Sequence, residues 1–166
     1  MAVNIIKGAA ITSRDASPKQ ISDARLSKGA LQEACGVLQS VSGDSIGSTY
    51  IFGSVRSNAR ISQVLLSCDG ANTTGAGDIG IYQTTLNGGA VVDADFFASA
   101  QSISSALVNS DVTHESGVFG IEDIEKPLWE ALGLLEDPHV DYDVVMTLTA
   151  ASDAADDVGL KIRYAM

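Results

Sequence analysis

Fourteen valines, thirteen isoleucines and nine threonines set the first constraint on this chain. Side chains branched at Cβ lose rotamer freedom in a helix and fit a pleated sheet. Lysine and glutamate, which usually populate exposed helix faces, total only eleven. Local preference therefore favours strands, and 166 residues allow one sizeable core but not two large domains.

Alternation places the strands. Val158, Leu160, Ile162 and Tyr164 fall on one face of the last segment and Lys161 and Arg163 on the other, the pattern of a half-buried strand. Upstream, Tyr142, Val144, Met146 and Leu148 alternate with Asp143, Val145, Thr147 and Thr149. The short polar stretch 150–157 between the two segments predicts that they pair as a hairpin. Further strands are predicted at Leu31–Val41, Ser48–Val55, Arg60–Cys68, Asp78–Gln83 and Gln101–Leu107, separated by turn-rich stretches such as 42–47 and 69–77. About seven or eight short strands is the count of a sandwich or jelly roll.

Two segments carry helical signals. In 125–133, Pro127 suits a first helical position, Leu128 and Leu132 are four apart, Trp129 reads as a core or seam anchor, and Gly133 suits a left-handed cap. In 93–100, Asp93 could cap a turn carrying Phe96 and Phe97, with an edge strand as the alternative. The predicted fold class is thus all-β: a β-sandwich or jelly-roll-like domain over 29–166 with one or two short helices, preceded by an extended arm over 1–28.

Charge divides the chain. Through Cys68, seven basic residues (Lys7, Arg14, Lys19, Arg25, Lys28, Arg56, Arg60) face four acids; from Asp69 onward, seventeen acids face Lys126, Lys161 and Arg163. An acidic body repels phosphate backbones, which argues against direct nucleic-acid binding. The arm holds five of the ten basic residues, and its Lys7, Arg14, Lys19, Arg25 and Lys28 are the candidate partner-interface residues. Either the arm is a frayed terminus with solvated charges, or it lies on an acidic neighbouring subunit, where opposite potentials fix register. Charged residues make up only 19% of the chain and hydrophobic ones 45%, so part of the surface is expected to meet another protein. No run reaches the 18 apolar residues of a membrane span, and Met1 to Ala10 lacks a long apolar stretch with a cleavage site, so a soluble, non-secreted protein without membrane contact is expected.

Catalytic and metal-binding patterns are weak. His114 and His139 stand alone, and Cys35 and Cys68 read as small hydrophobes of a reducing compartment. Asp93-Ala94-Asp95 and Asp153 to Asp157 lack the spacing of a calcium loop and read as solvated turn carboxylates. The glycine-rich stretch 70–77 lacks the Lys-Ser or Lys-Thr ending of a phosphate cradle and reads as an inter-strand loop. His114 beside Asp111 and Glu115 invites a catalytic reading, but no nucleophile-elbow sequence accompanies it. Paired carboxylates for glycoside cleavage would lack stacking platforms, with aromatics at 5%. No enzyme activity, cofactor or metal is expected.

One set of runs is distinctive: Asn58-Ala59-Arg60-Ile61-Ser62; Gly77-Asp78-Ile79-Gly80-Ile81-Tyr82-Gln83; Asn87-Gly88-Gly89-Ala90-Val91-Val92-Asp93-Ala94-Asp95-Phe96-Phe97-Ala98-Ser99-Ala100; Glu125-Lys126-Pro127-Leu128-Trp129-Glu130-Ala131-Leu132-Gly133-Leu134; and the closing Gly159-Leu160-Lys161-Ile162-Arg163-Tyr164. With Tyr142-Asp143-Val144-Val145, they resemble a family of small structural proteins of tailed bacteriophages and prophages, over the stretch from Ser48 to the C-terminus. The resemblance implies a non-enzymatic virion structural protein, assembled in the host bacterial cytoplasm. Within that class the expected role is a capsid decoration (cement) protein whose partners are the major capsid protein and copies of itself. Alternatives are a neck or tail component, and a virion-exposed carbohydrate-binding module using loops 69–77 and 111–120.

Overall fold

A computed structural model describes residues 5–166. Eight strands form two four-stranded antiparallel sheets. They are β1 (Leu31–Gln39), β2 (Thr49–Arg56), β3 (Arg60–Cys68), β4 (Ala76–Gln83), β5 (Val91–Ser102), β6 (Leu107–Asp111), β7 (Asp141–Ala150) and β8 (Asp157–Ala165). The first sheet runs β1-β8-β3-β6 and the second β2-β7-β4-β5. Every connection crosses between sheets except β4 to β5, which is the wiring of a jelly roll. The all-β sandwich expected from the alternation is the observed fold.

The predicted hairpin of the last two strands is not formed. β7 lies between β2 and β4 in one sheet, with Ile51 opposite Val145 and Gly80 opposite Val145 on its two sides. β8 lies between β1 and β3 in the other, with Gly36 and Leu66 flanking Leu160. Alternation reports which face of a strand is buried and says nothing about its hydrogen-bonded neighbour. Their apolar faces look at each other across the core, where Val144 and Met146 join Leu160 and Ile162 in one buried cluster.

The other corrections lie in the 91–111 region and the termini. The segment 93–100 belongs to an edge strand, β5, and the predicted strand 101–107 is the corner between β5 and β6, plugged by the buried Ile103. Ile79 pairs with Ala98 but Ile81 pairs with Asp93, so residues 94–97 have no partner on β4. This wide bulge lets the consecutive Phe96 and Phe97 both turn inward, where they meet Phe119 with ring centroids 5.0 to 5.7 Å apart. The bulge passes over Gly80, where an added Cβ would lie 2.1 Å from the carbonyl oxygen of Asp93. Gly36 meets the same restriction on the core side of β1: a Cβ there would sit 2.2 Å from the Phe52 carbonyl oxygen. Only glycine allows the two backbones to close this edge of the sandwich.

The arm over the described residues is not extended throughout. It contains α1 (Ala9–Asp15) and α2 (Ala24–Ser27), neither with a buried residue; residues 1–4 of the predicted arm lie outside the described residues. A third helix, α3 (Leu128–Ala131), falls within the predicted 125–133 segment. Pro127 is its N-cap rather than its first residue. The Leu128 and Trp129 amides, unsatisfied within the helix, donate to the carbonyls of Ala59 and Ser57 at 2.8 and 2.9 Å. Leu128 is the buried anchor, while Trp129 is only half-buried. Gly133 closes the segment at φ +74°, as its position predicts.

Candidate functional site

The five basic residues of the arm have different fates. Lys7 and Arg14 both bind Asp15, at 2.8 and 2.7 Å, on an exposed surface. Hydrogen bonds from Arg14 and then Lys7 hold the Asp15 carboxyl well below the usual carboxylate range. Arg25 pairs with Asp23 at 2.7 Å and sends Nη1 to the carbonyl oxygen of Asn58 at 2.6 Å. From β3, Arg60 donates Nη1 to the Arg25 carbonyl and Nη2 to the Ile124 carbonyl, the latter at 2.7 Å. Arg25 and Arg60 thus tie the root of the arm to the first sheet. Lys19 and Lys28 are exposed and make no ion pair among the described residues. The fold brings Arg14, Lys19 and Lys28 around one concavity of about 330 Å³, walled by Ala10 and Ile11. Ile5, Ile6 and Ile21 are exposed along the same arm. A segment that combines unpaired cations with uncovered isoleucines is suited to lie on an acidic surface with apolar patches.

The residues considered for chemistry are engaged in holding the fold. The His114 ring stacks on Phe119 at 5.2 Å and 12°, and its Nδ1 lies 2.8 Å from the Phe119 carbonyl oxygen. Glu115 accepts from the Ser99 amide at 2.8 Å, and Asp111 accepts from Thr113. Among the described residues, no serine, threonine or cysteine side chain hydrogen-bonds either histidine. No three histidine, cysteine, aspartate or glutamate side chains gather as ligands for an ion among the described residues. Cys68 is buried and its thiol pKa is raised, chiefly by that burial. Cys35, read from sequence as a packed hydrophobe, instead lies exposed on the outer face of β1.

Asp156 departs from the solvated turn carboxylate expected of it. It is fully buried in a polar cluster with Ser40, Asn72 and Ser152 at one end of the sandwich. Asn72 donates Nδ2 to Asp156 Oδ2 at 3.2 Å, and its Oδ1 accepts from the Ser152 hydroxyl at 2.8 Å and the Asp153 amide at 3.0 Å. The Ser40 hydroxyl accepts from the Asp156 amide at 3.0 Å. This cluster fixes the β7–β8 crossing to the end of β1 and to the loop 69–75. Asp156 Oδ1 has no donor of its own and belongs to a carboxyl pair with Asp69. Burial and then the neighbouring Asp69 carboxyl push the Asp156 pKa up, while the neighbouring Asp156 lowers that of Asp69. The two carboxyls therefore titrate as a pair, with Asp69 the more acidic.

A second carboxylate missed by sequence reasoning is Asp143, the third residue of β7, on the outer face of its sheet. It is 9% exposed, and the Ser54 hydroxyl donates to its Oδ1. Alternation marks this position as outward, hence solvated; the flanking strands β2 and β4 cover it instead.

Neither the protein-family models nor the curated protein sequences include a match to this chain. Among solved structures, the fold is similar to a chain of the "Cyanophage Pam1 capsid asymmetric unit", with a TM-score of 0.54 and 13% identity. The alignment covers 92% of this chain and 96% of that one.

Proposed function

We propose that this protein is a non-enzymatic structural component of a tailed-phage particle, and within it a decoration protein that binds and stabilises the assembled head. The observation that carries this reading is the end-to-end likeness to a chain of a capsid asymmetric unit, in which each chain covers more than nine tenths of the other. The two are therefore of similar length and share the whole jelly roll rather than a fragment. The arm supports the same reading, since its cations and isoleucines are offered to solvent while its root is tied to the domain. The acidic body favours the outside of a shell over its DNA-filled interior.

Such a protein acts by binding alone. A ligand of the assembled state that has no affinity for free subunits shifts the equilibrium toward assembly. Many copies arrayed at lattice spacing need only a modest interface each. The partners on this reading are the major capsid protein and further copies of this chain.

Co-sedimentation of purified protein with undecorated heads of the phage that carries it tests the proposal. Saturable binding at a fixed number of copies per capsid subunit is expected, and a chain lacking residues 1–22, which keeps the Arg25 tether, should bind more weakly. Six or twelve copies per particle would move the protein to the neck or tail axis. Absence from particles, or chelator-sensitive glycan binding instead, would refute the reading.

A further inference from the structure

A pocket of about 160 Å³ opens on the outer face of the second sheet, with room for about five waters at about 30 Å³ each. β2 contributes Thr49 and Ile51, β4 and the turn after it Tyr82, Gln83 and Thr85, and β7 Asp143 and Val145. Asp143 is nine-tenths buried; the Ser54 hydroxyl donates to one of its oxygens and the other stays within reach of solvent. The side chains of Thr49, Gln83 and Thr85 make no hydrogen bond among the described residues. One carboxylate, one amide and two hydroxyls, all with bonding capacity to spare, therefore line a space of single-ring size.

The aromatic member has a fixed attitude. Tyr82 stands opposite Asp143 in the pairing of β4 with β7, yet its hydroxyl meets Thr147 Oγ1 at 2.6 Å, four residues and about 13 Å along β7. A side chain that reaches so far lies along the sheet rather than standing up from it, which turns one face of its ring outward. The hydroxyl is spent on Thr147, so the ring is offered to the pocket as an apolar surface, beside Val145 and the exposed Ile51.

These features select a class of ligand. No lysine, arginine or histidine lines the pocket, so an anion would meet only the Asp143 charge. One carboxylate is too few for a divalent cation, and an apolar molecule would leave the carboxylate and the amide without partners. What remains is an uncharged ring with hydroxyls around its edge and C–H groups on its face. We infer that the pocket binds a single sugar ring, whose hydroxyls donate to Asp143 and bond with Gln83, Thr49 and Thr85 while its C–H face rests on Tyr82 and Val145. Few polar groups fixing the orientation of a ligand held on an apolar surface is the usual composition of a small-molecule site. The assignment goes beyond the structural role and does not depend on it.

Nitrogen–proton correlation NMR of the full chain tests it, by titration with glucose, galactose, mannose, rhamnose and N-acetylglucosamine, with and without EDTA, and with glycerol and butylammonium as controls. At least one sugar is expected to saturate in the millimolar range and to move the amide resonances of Tyr82, Gln83, Asp143 and Val145. Asp143→Asn should weaken that sugar about tenfold or more and Gln83→Ala about fivefold. Should Asp143→Asn fail to fold, Gln83→Ala decides, because that side chain bonds nothing else among the described residues. No saturable shift with any of these sugars, shifts confined to the loops 69–77 or 111–120, equal shifts with glycerol, tighter binding of butylammonium, binding abolished by EDTA, or binding indifferent to both substitutions would each overturn the assignment. Head binding and sugar binding are read in separate assays, so the failure of either leaves the other standing.

Discussion

Replacing Asp156 by asparagine should stabilise the protein at neutral pH, although the residue is fully buried and hydrogen-bonded. The side chain accepts from Asn72 through Oδ2, which an asparagine oxygen can equally do. Its Oδ1 has no donor and Asp69 is the neighbouring carboxyl, so once both groups are ionised two anions oppose each other there. An asparagine amide would donate to Asp69 in place of that repulsion. Leaving a buried polar atom unsatisfied costs about 1–3 kcal/mol, and the exposure of Asp69 puts the gain at the low end, about 1 kcal/mol. For a chain of this size that corresponds to a rise of about 2–4 °C in melting temperature. The pH dependence carries the sign. Asp156 has a pKa above the unfolded value of 3.8, so the folded state binds more protons there and loses stability as pH rises beyond 3.8. Asp69 is shifted the opposite way, and its contribution is present above 3.8 and lost as pH falls below it. The substitution removes the first effect. Thermal unfolding by circular dichroism should therefore show a gap between variant and wild type that is small near pH 4 and widens toward pH 7. A variant that melts below wild type at pH 7, or a gap independent of pH, would refute the account of repulsion between the two carboxyls.

Two further predictions concern the core. Gly80→Ala should destabilise by about 3 kcal/mol or more, because the added methyl meets the Asp93 carbonyl 2.1 Å away and the bulge of β5 must move; urea unfolding measures it, and a loss below about 1 kcal/mol would show that the bulge is not fixed. Phe119→Ala removes the ring that touches Phe96, Phe97 and His114, and should cost about 3–5 kcal/mol, whereas a surface change such as Leu86→Ala should cost under about 0.5 kcal/mol.

Alternation carried most of the strand assignment because a sandwich buries one face of every strand. Arg60–Cys68 matches β3 residue for residue, and β1, β2, β4, β7 and β8 lie within two residues of their predicted limits. What failed were inferences that need a partner or a bulge. Proximity in sequence argued for pairing β7 with β8, but jelly-roll wiring sends consecutive strands to opposite sheets. β5 breaks period 2 where Phe96 and Phe97 stand side by side, a signal of helix or of bulge that local pattern does not resolve. The arm's charge was legible at once, since a cluster of cations against an acidic remainder shows in a count. Its two short helices were not, because segments of seven and four residues with no buried face leave no periodic trace.

The two carboxylates that matter most were invisible for a different reason. Among seventeen acids after Cys68, nothing in the sequence separates Asp143 and Asp156 from those that face water. Their distinction comes from placement: Asp143 occupies an outward position on an interior strand, and Asp156 the corner where a crossing chain meets two loops. Of the two, only Asp156 has an oxygen that is both buried and without a donor. At Asp156 the site is closed, so the deficit is confined to the fold and shows as a raised pKa. At Asp143 the site opens outward: the Ser54 hydroxyl serves one oxygen and the other stays within reach of solvent.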